Sequence, residues 1–172
     1  MFDIHAHLCF PEFEKDQEQV VEQARQQIAG VLVSSARVEE GKQVLELVKR
    51  HPGFLFASLG FHPIEGDRLE DTIQLIKNNA ERVTAIGEVG LDHHWESDPG
   101  KREAQKKSFR KFLSLARSLR KPVVIHSWAA EEEAFELVSG SGVEAALHCF
   151  TGKKALALEI AEKGFFVSIS TA

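Results

Sequence analysis

Pro122-Val123-Val124-Ile125-His126-Ser127 is a short apolar run that ends directly in a histidine. It reads as a strand from Pro122 to His126, and what flanks it decides the fold. Before it, Lys101 to Leu119 reads as a long helix with Phe109, Phe112, Leu113, Ala116 and Leu119 on one apolar face. After it, Ala130 to Val138 reads as a second helix. The same alternation continues outward. Toward the C-terminus it gives a strand from Ala145 to Cys149, a helix from Lys154 to Glu162 and a strand from Phe165 to Ile169. Toward the N-terminus the strands are Phe2 to Leu8, Gly30 to Ser34, Phe54 to Leu59 and Val83 to Val89. The helices between them are Gln17 to Ile28, Glu39 to Arg50 and Leu69 to Asn78. Strict alternation argues for an α/β fold with a parallel sheet, either doubly wound or closed into a barrel. No Gly-rich phosphate loop follows the first strand, which weakens the dinucleotide-binding form. Polar residues fall at the C-terminal ends of several different strands, where (β/α)8 barrels place their chemistry.

Composition narrows the setting. The chain has 172 residues, 43% hydrophobic and 27% charged, the balance of an ordinary globular protein with a sizeable core. It holds no apolar run long enough to span a membrane. Met1-Phe2-Asp3-Ile4-His5 lacks the basic and apolar regions of a secretory signal. Cys9 and Cys149 do not form a disulfide framework, so a reducing cytoplasmic location is expected. The net charge of −5 argues against gripping duplex DNA by general electrostatics. Any nucleic acid must be held locally, by bound cations and a few placed side chains.

The histidines carry the chemistry. His5 and His7 lie two apart on the first strand and so share a face, with Phe2, Ile4, Ala6 and Leu8 on the other. Two inward imidazoles are costly to bury without partners, and a divalent metal is one such partner. A hydrogen-bonded core pair is the plain alternative. Glu88, in Ala85-Ile86-Gly87-Glu88-Val89-Gly90-Leu91-Asp92, emerges from a buried strand between glycines that admit close approach. A lone buried Glu would neutralise or need a cation; the plain alternative is a salt bridge to a buried Arg or Lys, which the inner positions of the other strands do not obviously offer. His126 and His148 each end an apolar strand. One such histidine alone reads as a satisfied core residue. Five ligand-type side chains at four strand ends read as a metal cluster, in which a shared carboxylate bridges two ions.

His62, in Leu59-Gly60-Phe61-His62-Pro63, sits just past the third strand. It is a candidate for touching substrate, with a backbone-bonded loop histidine as the alternative. His93 and His94 are expected near the barrel mouth, and His51 before Pro52 is expected to cap a helix.

Phe2-Asp3-Ile4-His5-Ala6-His7-Leu8, Gly60-Phe61-His62-Pro63, Ile86 to Asp92, Pro122 to Ser127 and His148-Cys149-Phe150-Thr151-Gly152 resemble, in order and spacing, the TatD family of metal-dependent deoxyribonucleases. The resemblance implies a (β/α)8 TIM barrel and two divalent ions (Mg2+, Mn2+ or Zn2+). It implies that His5 and His7 bind one ion, that Glu88 bridges, that His126 and His148 hold the second, and that His62 meets the substrate phosphate. The implied activity is phosphoester hydrolysis by an activated water, with DNA the expected substrate, often cut from the 3′ end.

Two departures stand out. Trp128 and Ala129 follow His126-Ser127 where the family usually has Arg, so no guanidinium is offered to phosphate there. The family's eighth strand carries an Asp ligand, and the sequence ends after the seventh. Residues 1–172 therefore read as one incomplete barrel domain with two open sheet edges. The ion nearest His5 and His7 is expected to be weakly held or lost. Two other functions share these features: an amidohydrolase-like enzyme on a small molecule, and a catalytically impaired barrel used for binding. Glu88, standing where such amidohydrolases often carry a carboxylated Lys, favours the nuclease over the first.

Overall fold

The computed structural model describes residues 1–66 and 68–169. Seven parallel strands lie side by side in chain order: β1 (Asp3–Ala6), β2 (Val31–Ser34), β3 (Leu55–Leu59), β4 (Val83–Asp92), β5 (Val123–Trp128), β6 (Ala145–Leu147) and β7 (Phe166–Val167). A helix follows each of the first six: α1 (Gln17–Arg25), α2 (Val38–Arg50), α3 (Leu69–Asn78), α4 (Pro99–Leu119), α5 (Glu131–Ser139) and α6 (Lys154–Glu162). A doubly wound sheet reverses its strand order at one point. Here the order runs from β1 to β7 without reversal, which is the wall of a (β/α) barrel.

Local chemistry sets the helices. The Asp98 side chain accepts the Lys101 N–H and Pro99 opens the first turn, so α4 begins where an N-cap and a fixed φ coincide. In α2, Glu39 and Glu40 lie in the first turn and Lys49 and Arg50 in the last, complementing the helix dipole. His51 is the C-cap residue of α2, as expected, and its ring also lies 2.9 Å from Glu18 of α1.

The outward residues of the sheet (Val33, Ala57, Leu59, Ile86, Leu91, Ile125 and Leu147) are buried with Phe109, Phe112 and Ala116 of α4 in one continuous core. Inside the barrel a second, small cluster gathers Leu32, Ala85 and Val124, with Phe56 packed against it. Because strand side chains alternate, the next inward positions on β2, β3 and β5 are Ser34, Ser58 and His126. An apolar floor thus lies beneath a polar layer at the C-terminal ends of the strands.

Strand lengths differ from the sequence pattern in an informative way. β4 and β5 run on beyond Val89 and His126 because their pairing continues through Gly90↔His126 and Leu91↔Ser127 to Asp92↔Trp128. β1 is shorter than expected and, among the described residues, pairs with β2 alone, with an irregular register. Phe2, expected on the helix side, instead meets the interior Phe56 with ring centroids 5.4 Å apart. Among the described residues, no helix is long and apolar enough to cross a membrane.

Candidate metal centre

Glu88 is 3% exposed and lies at the centre of the polar layer. Its two oxygens face different histidines. Oε2 lies 3.0 Å from His7 Nε2 and 3.6 Å from His5 Nε2, and those two nitrogens are themselves 3.0 Å apart. Oε1 lies 2.6 Å from His148 Nε2, 2.9 Å from His126 Nδ1 and 3.6 Å from His62 Nε2. The five residues expected to act as ligands are therefore brought together, and His62 joins them. His148 stands between the two sides, because its ring also stacks on His5 at 3.9 Å. By mutual spacing the donors sort into His5–Glu88–His148 and His62–Glu88–His126, two overlapping sets that share the carboxylate.

Backbone freedom permits this crowding at two glycines. A Cβ on Gly60 would run into the backbone of Glu88, and one on Gly90 into the carbonyl of His126. Gly90 also has φ +150°, which side-chain-bearing residues rarely adopt.

Burial and neighbouring charge set opposite protonation preferences. Burial, reinforced by the neighbouring His148, lowers the pKa of His5 to about 3. Burial likewise lowers that of His62 to about 4, against the pull of Glu88. Burial also disfavours charge on His7, yet hydrogen bonds to Glu40 and Glu88 outweigh it and raise the pKa to about 9. His126 is raised too, because hydrogen bonds to Glu88 and Asp92 overcome its burial. Burial alone would raise the Glu88 pKa, but hydrogen bonds to His126, His148 and His7 hold it well below the usual carboxylate range. A carboxylate held ionised among imidazoles is a donor set suited to divalent cations, with the protons retained by His7 and His126 to be displaced on binding. Among the described residues, Glu88 forms ion pairs with histidines and with no Lys or Arg.

Three supporting residues escape a strand-by-strand reading. Asp92, fully buried, places Oδ2 2.9 Å from His126 Nε2, while its Oδ1 accepts the His94 and Trp95 N–H groups at 3.0 and 2.8 Å. Glu40, on the buried face of α2, places Oε1 3.4 Å from His7 Nδ1 and accepts the Ala36 N–H at 2.6 Å. Ser34 Oγ lies 3.0 Å from His5 Nδ1. Glu40 had a visible signal: it precedes Val44 and Leu47 at helical spacing, a charge on an apolar stripe. His93 and His94 stay outside the cluster. His93 Nε2 lies 3.6 Å from Glu133, and the His94 ring lies parallel to Trp128 at 4.0 Å.

A parallel barrel wall with imidazoles and a shared carboxylate at its strand ends defines the class of barrel metallohydrolases. The chain belongs to the TatD family of metal-dependent hydrolases: the model of TatD related DNases matches residues 2–172. It is 33% identical over 175 residues to an uncharacterized metal-dependent hydrolase, YabD, of Bacillus subtilis, covering 98% of this chain and 68% of that protein. It is 32% identical over 178 residues to the 3′-5′ ssDNA/RNA exonuclease TatD of Erwinia tasmaniensis, covering 99% and 68%. The crystal structure of YJJV, a TatD homologue from Escherichia coli, superposes with a TM-score of 0.82 at 25% identity, covering 97% of this chain and 66% of that one. The chain thus spans about two thirds of the length of these relatives, and the expected (β/α)8 barrel wall, with its eighth strand missing among the described residues, holds.

Proposed function

We propose that this protein hydrolyses phosphodiester bonds in DNA, working from the 3′ end of a single strand, with two divalent cations held at the mouth of the barrel. One observation carries the reading: each oxygen of Glu88 faces its own set of imidazole nitrogens. That is the arrangement of a bridging carboxylate. Bound there, a cation pair supplies a lowered water pKa and neutralises charge on the phosphate and the leaving oxygen. His5 and His7 would hold the ion on the Oε2 side and His126 and His148 that on the Oε1 side, with His148, spaced to join His5 as well, standing between them. Asp92 fixes the ring of His126, and Glu40 that of His7. His62 reaches over the Oε1 side, where its Nε2–H can donate to a phosphate oxygen. The apolar floor of Leu32, Phe56, Ala85 and Val124 lies beneath the donors. Imidazole-rich ligation favours zinc over magnesium as the tighter-bound ion. We place the protein in the cytoplasm, where its two free cysteines stay reduced.

The test is release of nucleotides from a labelled single-stranded oligonucleotide by the full-length protein, with Mg2+, Mn2+ or Zn2+ supplied in turn. Metal-dependent, chelator-sensitive release is expected, and Glu88→Ala should reduce it to background. Undiminished turnover in that variant would exclude the bridging role. No cleavage with any of the three metals would exclude the nuclease reading.

A further inference from the structure

Beside the metal centre lie three exposed rings that the chemistry above does not use. Trp128 ends β5, two residues after His126 and on the same strand face, so it stands about 6.6 Å further toward the mouth. The His94 ring covers one of its faces, with centroids 4.0 Å apart and planes parallel at 0°. Trp95 closes the corner edge-on, 4.7 Å from His94 and 5.9 Å from Trp128. Trp95 is 67% exposed and Trp128 41% exposed.

The rings are held rather than loose. The backbone of Trp128 is fixed by its ladder pairing with Asp92, the Asp92 carboxylate accepts the backbone N–H groups of His94 and Trp95, and the rings pack on one another. The residue that orients a metal-site histidine therefore also orients this cluster. A preorganised aromatic corner one strand step from a phosphodiester-cleaving centre fits a flat, uncharged, aromatic occupant. A chain of net charge −5 gains little from general attraction to a polyanion, so stacking can add binding that the metal centre and His62 do not supply. In a duplex the base faces are covered by their neighbours, whereas a single strand can turn one out.

We propose that Trp128, backed by His94 and flanked by Trp95, is a stacking platform for one nucleobase of a single-stranded substrate. It seats the nucleotide whose phosphate meets the metal centre. The proposal rests on the nuclease reading for its substrate, but its test separates the two.

The experiment uses the full-length protein, a single-stranded oligothymidylate, and an oligomer of equal length with the same phosphates and no bases. Trp128→Ala should raise KM for oligothymidylate by roughly 5- to 100-fold with kcat nearly unchanged. Trp128→Phe, which keeps a ring, should restore it, and KM for the baseless oligomer should not move. An unchanged KM in Trp128→Ala, or an equal rise on both oligomers, overturns the platform while leaving the nuclease intact. If the wild type cleaves neither oligomer, the nuclease reading fails and tryptophan emission decides the platform alone. Quenching by oligothymidylate, absent with the baseless oligomer and reduced in Trp128→Phe, sustains it as a binding surface. No selective quenching assigns the rings to some other occupant and overturns it.

Discussion

The two sides of Glu88 are built to different standards. On the Oε1 side, His126 sits on a strand paired with β4 and β6, and its second nitrogen meets a fully buried carboxylate at 2.9 Å. That carboxylate belongs to Asp92, whose own backbone is gripped in both directions by Gln105, at 3.0 and 3.2 Å. On the Oε2 side, His5 lies on the four-residue β1 and His7 just past its end, and among the described residues β1 pairs with β2 alone. His5 leans on a serine hydroxyl, and His7 on Glu40 at the longer distance of 3.4 Å. A ligand fixed by a short, charged hydrogen bond loses less freedom on binding a cation than one held by a neutral hydroxyl or a longer contact. The Oε1 side is the preorganised half.

The largest effect that follows is an inequality between the two cations. Titration of zinc into chelator-stripped protein, followed by calorimetry, should resolve a tighter and a weaker site. His126→Ala should remove the tighter site, leave about one weakly bound equivalent and abolish turnover. His5→Ala should remove only the weaker. Two equal sites, or loss of the tight one in His5→Ala, would invert the comparison.

A smaller effect sharpens it. Asp92→Asn and Glu40→Gln keep shape and remove charge, so each tests how much a supporting carboxylate contributes. Loss of such a partner commonly weakens metal affinity or activity about 10- to 100-fold. Asp92→Asn should fall near the upper end and Glu40→Gln near the lower. Metal affinity measured by competition with a colorimetric chelator ranks them, and equal losses would mean that the supporting carboxylates do not set the difference.

How far the sequence displays this centre depends on what kind of contact makes it. His5, His7, His126 and His148 are legible because each stands at or just past the end of an apolar strand, on the inward parity of that strand. Glu88 is legible as a carboxylate in a buried strand, but Ala85 shares the interior with it only because the β4 register shifts between Ile86 and Val89. α3 and α6 match their expected bounds because their apolar stripes are local. Asp92 stands in a quoted motif, yet its task arises only when β4 and β5 pair past His126 in a register that no single strand encodes. Glu40 reaches His7 from a different β/α unit, across 33 positions. Trp128 looks like a missing guanidinium in the sequence, and becomes one ring of a cluster only once His94 and Trp95 fold over it. Side chains that act through non-local register are where a one-dimensional reading stops.

The smallest effect, a pH profile, probes both sides without mutation. An unfolded histidine titrates near 6.5. His7 keeps its proton to about 9 in the fold, so its stabilisation is complete below pH 6.5 and is lost as pH rises through 9. His126, raised as well, acts in the same direction. His5 and His62 resist protonation down to about 3 and 4, so their stabilisation is present above pH 6.5 and is lost as pH falls toward those values. Glu88, lowered well below the ordinary carboxylate range, adds to the loss on the acid side. Chelator-treated protein should therefore melt highest near pH 6.5, with lower Tm on both sides. Saturating zinc competes with the protons that His7 and His126 retain, so it should move the maximum to higher pH. A Tm that climbs steadily from pH 6.5 to 9 without metal would show that neither histidine holds its proton, and would remove the charge contrast between His5 and His7.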